Sequence, residues 1–256
     1  MTSAEFDHLF KTKDWSAVEA CQRAGPAAIP AIEPYLRNPD EVIRLLGVDC
    51  VAAAGGTQAP GILIRALIDG NEQVRNNAVN ALHKHLPIGQ ESALLTVWEA
   101  NHTRDGYVRQ QIPMILGRMP VQAKIHEIKA RTASDKRQEV NDGAIAGAAK
   151  LGDAESRAHF ARLLNEARGK RTAELIELVK YLDDPWVIRP LAPVLTRKEM
   201  AVDLSTHRRE IHRRECDIAA DEIMRIGKAR FTFAPNPLAQ YSDQQLGEVY
   251  QYAQSH

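Results

Sequence analysis

The chain has 256 residues, 33 basic and 33 acidic side chains and 44% hydrophobic residues. That length supports a large core, in one elongated domain or two compact ones, and the balanced charge excludes a global field drawing the protein to nucleic acid or an anionic membrane. Aromatic residues make up 5%, few for a β-sandwich or a base-stacking RNA binder and ample for packed helices.

The first residues, "MTSAEFDHLFKTKDW", lack a charged region followed by an apolar run, and nowhere do eighteen apolar residues line up. A soluble, cytoplasmic protein is expected. Cys21, Cys50 and Cys216 are odd in number and sit within apolar-periodic segments, the pattern of buried reduced thiols. Helices are expected to begin near Asp14, Ala27 and Pro39. "NPDE" (38–41) offers Asn38 as N-cap, Pro39 at the first helical position and two acids at the positive end of the dipole. "AAAGGT" is a helix end. Further starts fall near Ala59, Asn71, Ser92, Gly106, Val121, Arg137, Ala154, Arg171 and Pro185, while Pro30, Pro34 and Pro113 are expected to kink or break their helices. "VDLSTHRREIHRRECDIAADEIMRIG" predicts one long helix from near Leu204, and no strand is expected. Proline-rich "FTFAPNPLAQ" (231–240) then interrupts the pattern, and Ser242 with Gln245 has capping-box spacing before a last helix near Asp243.

A repeat runs through these elements. "DEVIRLLGVDCVAAAGG" (40–56), "NEQVRNNAVNALHKH" (71–85), "DGYVRQQIPMILGRM" (105–119) and "RQEVNDGAIAGAAKLGD" (137–153) share a polar start and small or apolar residues at helical spacing. Arg44, Arg75 and Arg109 are 31 and 34 residues apart. A two-helix unit recurring about every 32 residues follows, about six times.

This pattern resembles the HEAT repeat in its short bacterial form, as in the phycobilin-lyase-like class. "QVRNNAVNALHKH", "DEVIRLLGVDCVAAAGG" and "KLGDAESRAHFARLL" carry the likeness. The tetratricopeptide and ankyrin signatures "WxxLGxxY" and "TPLHxA" are absent. The resemblance implies an all-α, armadillo-type fold: a right-handed α-solenoid of about six antiparallel helix pairs over residues 1–228. Residues 229–256 would form a proline-rich segment and a capping helix. It also implies a ladder in which an Asp or Asn ahead of each second helix meets an Arg within it, six residues on: Asn38 with Arg44, Asp69 with Arg75. At Arg109 the matching residue is Thr103, and in the next unit Val140 stands where the Arg would be.

Second helices of such a stack line its concave side, giving an outward stripe of Leu46, Asp49 and Ala53, then Asn76, Asn77, Asn80 and Lys84. Gln110, Gln111, Met114 and Arg118 continue it, followed by Asp142, Ile145 and Ala149. Amides there satisfy a partner's backbone while Met114 and Ile145 supply apolar anchors. The plainer account of the three asparagines is a wet helix surface.

Little points to catalysis. His83 and His85 are two apart and diverge on a helix. In "HRREIHRREC" (207–216), His207 with Glu210 and His212 with Cys216 have ligand spacing, but four arginines among them favour a solvated basic helix. His126–Glu127 is a single His-Glu pair where the HEAT-like deoxyhypusine hydroxylases use several. Arg118, Lys124, Lys129, Arg131, Lys136 and Arg137, with Glu127 and Asp135 among them, read as a solvated ridge or a contact for an acidic partner. The expected function is therefore a monomeric, non-enzymatic scaffold or adaptor that binds a protein or peptide, without metal or cofactor. An immunity-type protein masking a toxin is the alternative. An enzyme or chaperone acting on a tetrapyrrole or modified base is the rival of another class.

Overall fold

Short polar side chains set where the helices of this chain start. In the computed structural model, which describes residues 3–101, 106–132, 135–205 and 211–256, Asn71 accepts from the Gln73 and Val74 amides at 2.8 and 3.2 Å. Asp40 accepts from Val42 N at 2.9 Å, each satisfying donors that a first helical turn leaves open. The cap expected at Asn38 thus moves to Asp40. Asn38 is spent on the Asp40 amide, at 2.9 Å, in a turn that precedes the helix.

The described residues are mostly helical and fall into two compact units, residues 1–147 and 148–256. The first holds α1 (Ser3–Lys11), which was not anticipated, α2 (Ser16–Ala24), the short α3 (Ile29–Ile32) between 3-10 turns, α4 (Glu41–Ala54) and α5 (Ala59–Ala66). It continues with α6 (Glu72–Lys84), α7 (Glu91–Ala100), α8 (Gly106–Leu116), α9 (Ile125–Thr132) and α10 (Gln138–Lys150), in whose last turn the boundary falls. Helix α4 packs on α2 and α6, and α6 on α8; α5 lies against α4, α6 and α7.

Pro113 does not break α8. A proline removes the amide that would bond the carbonyl four residues back, here that of Arg109, and Trp98 Nε1 donates to this carbonyl at 3.0 Å instead. Two glycines then bring α10 against α8: a Cβ at Gly143 would sit 2.4 Å from the Gln110 carbonyl oxygen, and one at Gly147 2.3 Å from that of Pro113. Backbones this close need residues without side chains.

The arginine ladder forms with different partners from those expected. Six residues back, two of the arginines meet the main chain: Arg44 Nη1 donates to the Asn38 carbonyl at 2.8 Å and Arg75 Nη1 to the Asp69 carbonyl at 2.9 Å. The carboxylate partners lie one repeat ahead. Arg44 forks onto Asp69 at 2.8 and 2.9 Å. Arg109, 1% exposed, meets Asp135 at 2.8 Å while its guanidinium lies 3.3 Å over the Trp98 ring. Thr103 lies outside the described residues. In the following unit the ladder residue is Asn141 rather than Val140, since Asn141 Nδ2 donates to the Asp135 carbonyl at 3.0 Å, again six back.

The second unit holds α11 (Ala154–Glu166), α12 (Lys170–Leu182), α13 (Ile188–Leu191), β1 (Met200–Asp203), β2 (His212–Arg214), α14 (Glu215–Gly227) and α15 (Asp243–Gln254). The antiparallel β1–β2 pair, irregular between Met200 and Val202, corrects two expectations: strands occur, and the predicted long helix is a strand pair followed by α14. The strand was hidden because its inward residue is Arg213, 2% exposed and paired with Asp221 at 2.6 Å, so no apolar alternation marks it. Residues 229–242 dock on α14 and β2: the Tyr241 amide donates to Asp217 of α14 at 2.9 Å and the Arg213 guanidinium of β2 to the Asn236 carbonyl at 3.1 Å. Ser242 and Gln245 form the expected capping box.

Replacing Asp135 with Ala strands a buried guanidinium, so urea unfolding at pH 7 is expected to show a loss of about 3 kcal/mol. Arg137 first, then Arg109, holds the Asp135 carboxyl well below the usual carboxylate range. Its folded-state value being depressed, this contribution is present above the unfolded value of about 4 and fades as pH falls below it. The deficit of Asp135→Ala relative to the parent should therefore narrow in acid.

Candidate partner-binding surface

Helix α6 buries Val74, Ala78, Ala81 and Leu82, which leaves its asparagines on the other side. There Asn77 Nδ2 donates to Asp49 Oδ1 of α4 at 2.8 Å, and Gln73 Nε2 to Asn77 Oδ1 at 3.1 Å. One turn further, His83 Nε2 donates to Gln111 Oε1 of α8 at 2.8 Å, and Gln111 Nε2 to Gln110 at 3.4 Å. Arg118 Nη1 donates to the His83 carbonyl at 3.1 Å. Asn80 and Lys84 stand exposed between these two groups. Side chains from three consecutively packed helices thus form one polar strip. Asn77 spends one of its two N–H donors on Asp49, and among the described residues Asn80 has no hydrogen-bond partner, so amide capacity remains for another molecule.

Two titratable groups in the strip are perturbed. Burial pushes the Asp49 carboxyl up, opposed by the Asn77 hydrogen bond and the Lys84 charge. Burial holds His83 below its ordinary value, opposed by Gln111 and reinforced by Arg118. At neutral pH the imidazole is uncharged, with Nε2 protonated toward the Gln111 oxygen and Nδ1 left facing Arg118 Nη1 at 3.5 Å.

The structure brings together Asp49, Asn77, Gln110, Gln111 and Arg118, with Asn80 and Lys84 exposed beside them. Asn76 is half-buried on the same helix, and among the described residues its Oδ1 has no hydrogen-bond partner. Other members of the expected stripe are corrected. Leu46 and Ala149 are fully buried, Met114 is 7% exposed and Asp142 4%. Helix α4 is flanked on both sides, so its apolar face is wider than one stripe. The close glycine contacts of α10 with α8 cover Met114 and Asp142. Ile145 and Ala53 remain half-buried, so the surface is amide-rich with little apolar anchoring. Gln73 and His83 were missed as members. The signal was present: Asp49 and Asn77 are 28 residues apart, as are His83 and Gln111, the offset of facing positions on α4 and α6 and on α6 and α8.

No protein-family model matches the chain, and no curated protein matches it.

Elsewhere the candidate chemistry disperses. Among the described residues no three His, Cys, Asp or Glu side chains are grouped to hold a metal. His207 and Glu210 lie outside the described residues. His212 is on β2 and Cys216 on α14, so the helical spacing supposed between them does not exist. The basic cluster is tied down by ion pairs: Lys124 and Arg131 on Glu127, Arg131 on Glu99 and Arg137 on Asp135. No helix among the described residues is long and apolar enough to cross a membrane.

Asp49 gives a test of whether the strip is held at a cost in stability. A carboxyl whose folded value is raised contributes its stability below the unfolded value and loses it as pH climbs through the folded one. Asp49→Asn, whose amide oxygen still accepts from Asn77, is expected to melt above the parent at pH 7 and level with it near pH 3. A lower melting temperature at pH 7 would contradict this assignment.

Proposed function

We propose that the protein is a non-enzymatic interaction scaffold that binds another protein or peptide across α4, α6 and α8. The observation that supports this is the polar strip itself, in which Asp49, Asn77, His83, Gln111 and Arg118 order one another by hydrogen bonds. Ordering in the free protein lowers the entropic cost of association. Primary amides offer a donor and an acceptor each, the complement of a peptide group, and Lys84 and Arg118 add cations at one end. In this proposal the chain is a HEAT-like α-solenoid of antiparallel helix pairs and the strip lies on its concave side, the usual working surface of such stacks. The recurrence of contacts at 28 residues across the strip and at 25 and 26 along the ladder supports a regular repeat.

Met114 is buried and so is no test of the surface. The informative variant combines Asn77→Ala, Asn80→Ala, Gln111→Ala and Arg118→Ala. Partners captured by the parent from its native host would be purified and titrated against both proteins. At least tenfold weaker binding by the variant is expected, with its helical circular dichroism unchanged. Equal affinity would remove the strip from consideration.

A further inference from the structure

The second unit places two arginines on one set of acceptors. Helix α11 ends in carbonyls that no helical amide satisfies. Arg197, 8% exposed, covers them: its Nη1 donates to the Leu164 and Ala167 carbonyls at 3.0 Å each and its Nη2 to the Asn165 carbonyl at 2.7 Å. That guanidinium alone completes the helix end. Arg168 nevertheless brings a second one to the same place, its Nη1 donating to the Asn165 and Ala167 carbonyls at 2.8 and 2.6 Å. Two cations that share both acceptors stand side by side. The negative end of the helix dipole favours them, but carboxylates do little here. Fully buried Glu215 keeps its Oε2 3.6 Å from Arg197, and among the described residues Arg168 has no ion pair. Burial first, then the Arg168 charge, draws the Arg197 guanidinium below its ordinary value.

Both arginines line an open cavity of about 600 Å³, together with Asn165, Pro193, Lys198 and Glu199. Arg168 spends Nη1 on the carbonyls, whereas its Nε–H and Nη2–H have no partner among the described residues. Those two form the edge of a guanidinium that grips an oxyanion with two parallel bonds. Asn165 Oδ1 accepts from Arg197 Nη2 at 3.3 Å, which orients the amide and leaves its Nδ2 free among the described residues. Lys198 is held by Asp243 at 2.7 Å. Pro193 is the sole apolar residue in the described lining, so the cavity offers donors and charge and no seat for an apolar body. We propose that it binds a phosphate group, free or as a small phosphomonoester, on the Arg168 Nε–Nη2 edge and the Asn165 Nδ2 amide, with Arg197 as a fixed charge beside them. Such a group carries about 1.5 to 2 negative charges at neutral pH and three acceptor oxygens, a match for two guanidiniums and an amide. A carboxylate carries one charge, and that of Glu199 lines the same cavity without pairing with Arg168. The body of an ester would project into solvent.

The test is calorimetric titration of the full-length protein with inorganic phosphate, glycerol 3-phosphate and acetate at constant ionic strength. Both phosphate ligands should saturate one site and acetate should not; the tighter of the two names the source of the group. Arg168→Gln is expected to bind about tenfold more weakly. Arg168→Lys, which keeps the charge without the two-bond edge, should recover little of that loss. Glu199→Gln removes a carboxylate from the cavity and should bind a few-fold more tightly, roughly the weight of one screened charge. Arg162→Gln changes net charge equally, at an exposed residue of α11 outside the cavity, and should bind as the parent does. Arg168 and Glu199 are themselves exposed, so the variants should fold, which circular dichroism would check. No saturable binding of either phosphate ligand, acetate binding as tightly as phosphate, unchanged affinity in Arg168→Gln, or weaker binding by Glu199→Gln would each overturn the proposal. The strip belongs to the other compact unit, so none of these outcomes bears on partner binding there.

Discussion

The first unit depends on a guanidinium that bonds backward to main chain and forward to a carboxylate. Helices of this size cannot bury their faces alone, and the turns between them carry carbonyls that no helix satisfies. Arg44 closes the carbonyls of Asn38 and Pro39 and then forks onto Asp69, 25 residues ahead. Arg109 does the same more deeply, bonding the Trp98 carbonyl and Asp135 while stacked on the Trp98 ring. A charge this buried is tolerable only because every neighbour is arranged for it. That requirement fixes the spacing between successive helices more sharply than apolar packing alone can.

Fixed spacing is what allows the strip to exist. Polar side chains on adjacent helices meet at hydrogen-bond distance only if the helices keep one offset, and Asp49 with Asn77 and His83 with Gln111 keep the same one. The ladder and the strip are thus two consequences of a single register, one invested in stability and the other leaving amides and cations on the surface. Asp49 shows the tension between them: a half-buried carboxyl whose ionisation the fold disfavours serves packing poorly.

Much of the helical layout was legible in the sequence, because caps and periodicity are local. The helix start near Asn71, Ser242 with Gln245 as a capping box and the helix end at Gly55 need only neighbours within a turn. What escaped was decided by distant partners. Pro113 looks like a break until the indole of Trp98 replaces the missing donor. Met114 and Asp142 look outward until Gly143 and Gly147 admit α10 so closely that both are covered. The β1–β2 pair turns an arginine inward, and no hydrophobicity pattern marks that as a strand. The ladder register, Asn141 rather than Val140, was readable from the separation of six but needed the observed bond to distinguish neighbouring residues.

The bond between Trp98 and the Arg109 carbonyl makes the order of sequence change matter. If Pro113 is exchanged first for a residue with an amide, the carbonyl gains an ordinary helical donor and no longer needs the indole N–H, although the ring still lies beneath the guanidinium. If Trp98 changes first, a buried carbonyl is orphaned and a guanidinium loses the ring beneath it. Drift at these two positions is therefore directional: only after the proline has gone does an aromatic residue without an N–H become acceptable in place of the tryptophan.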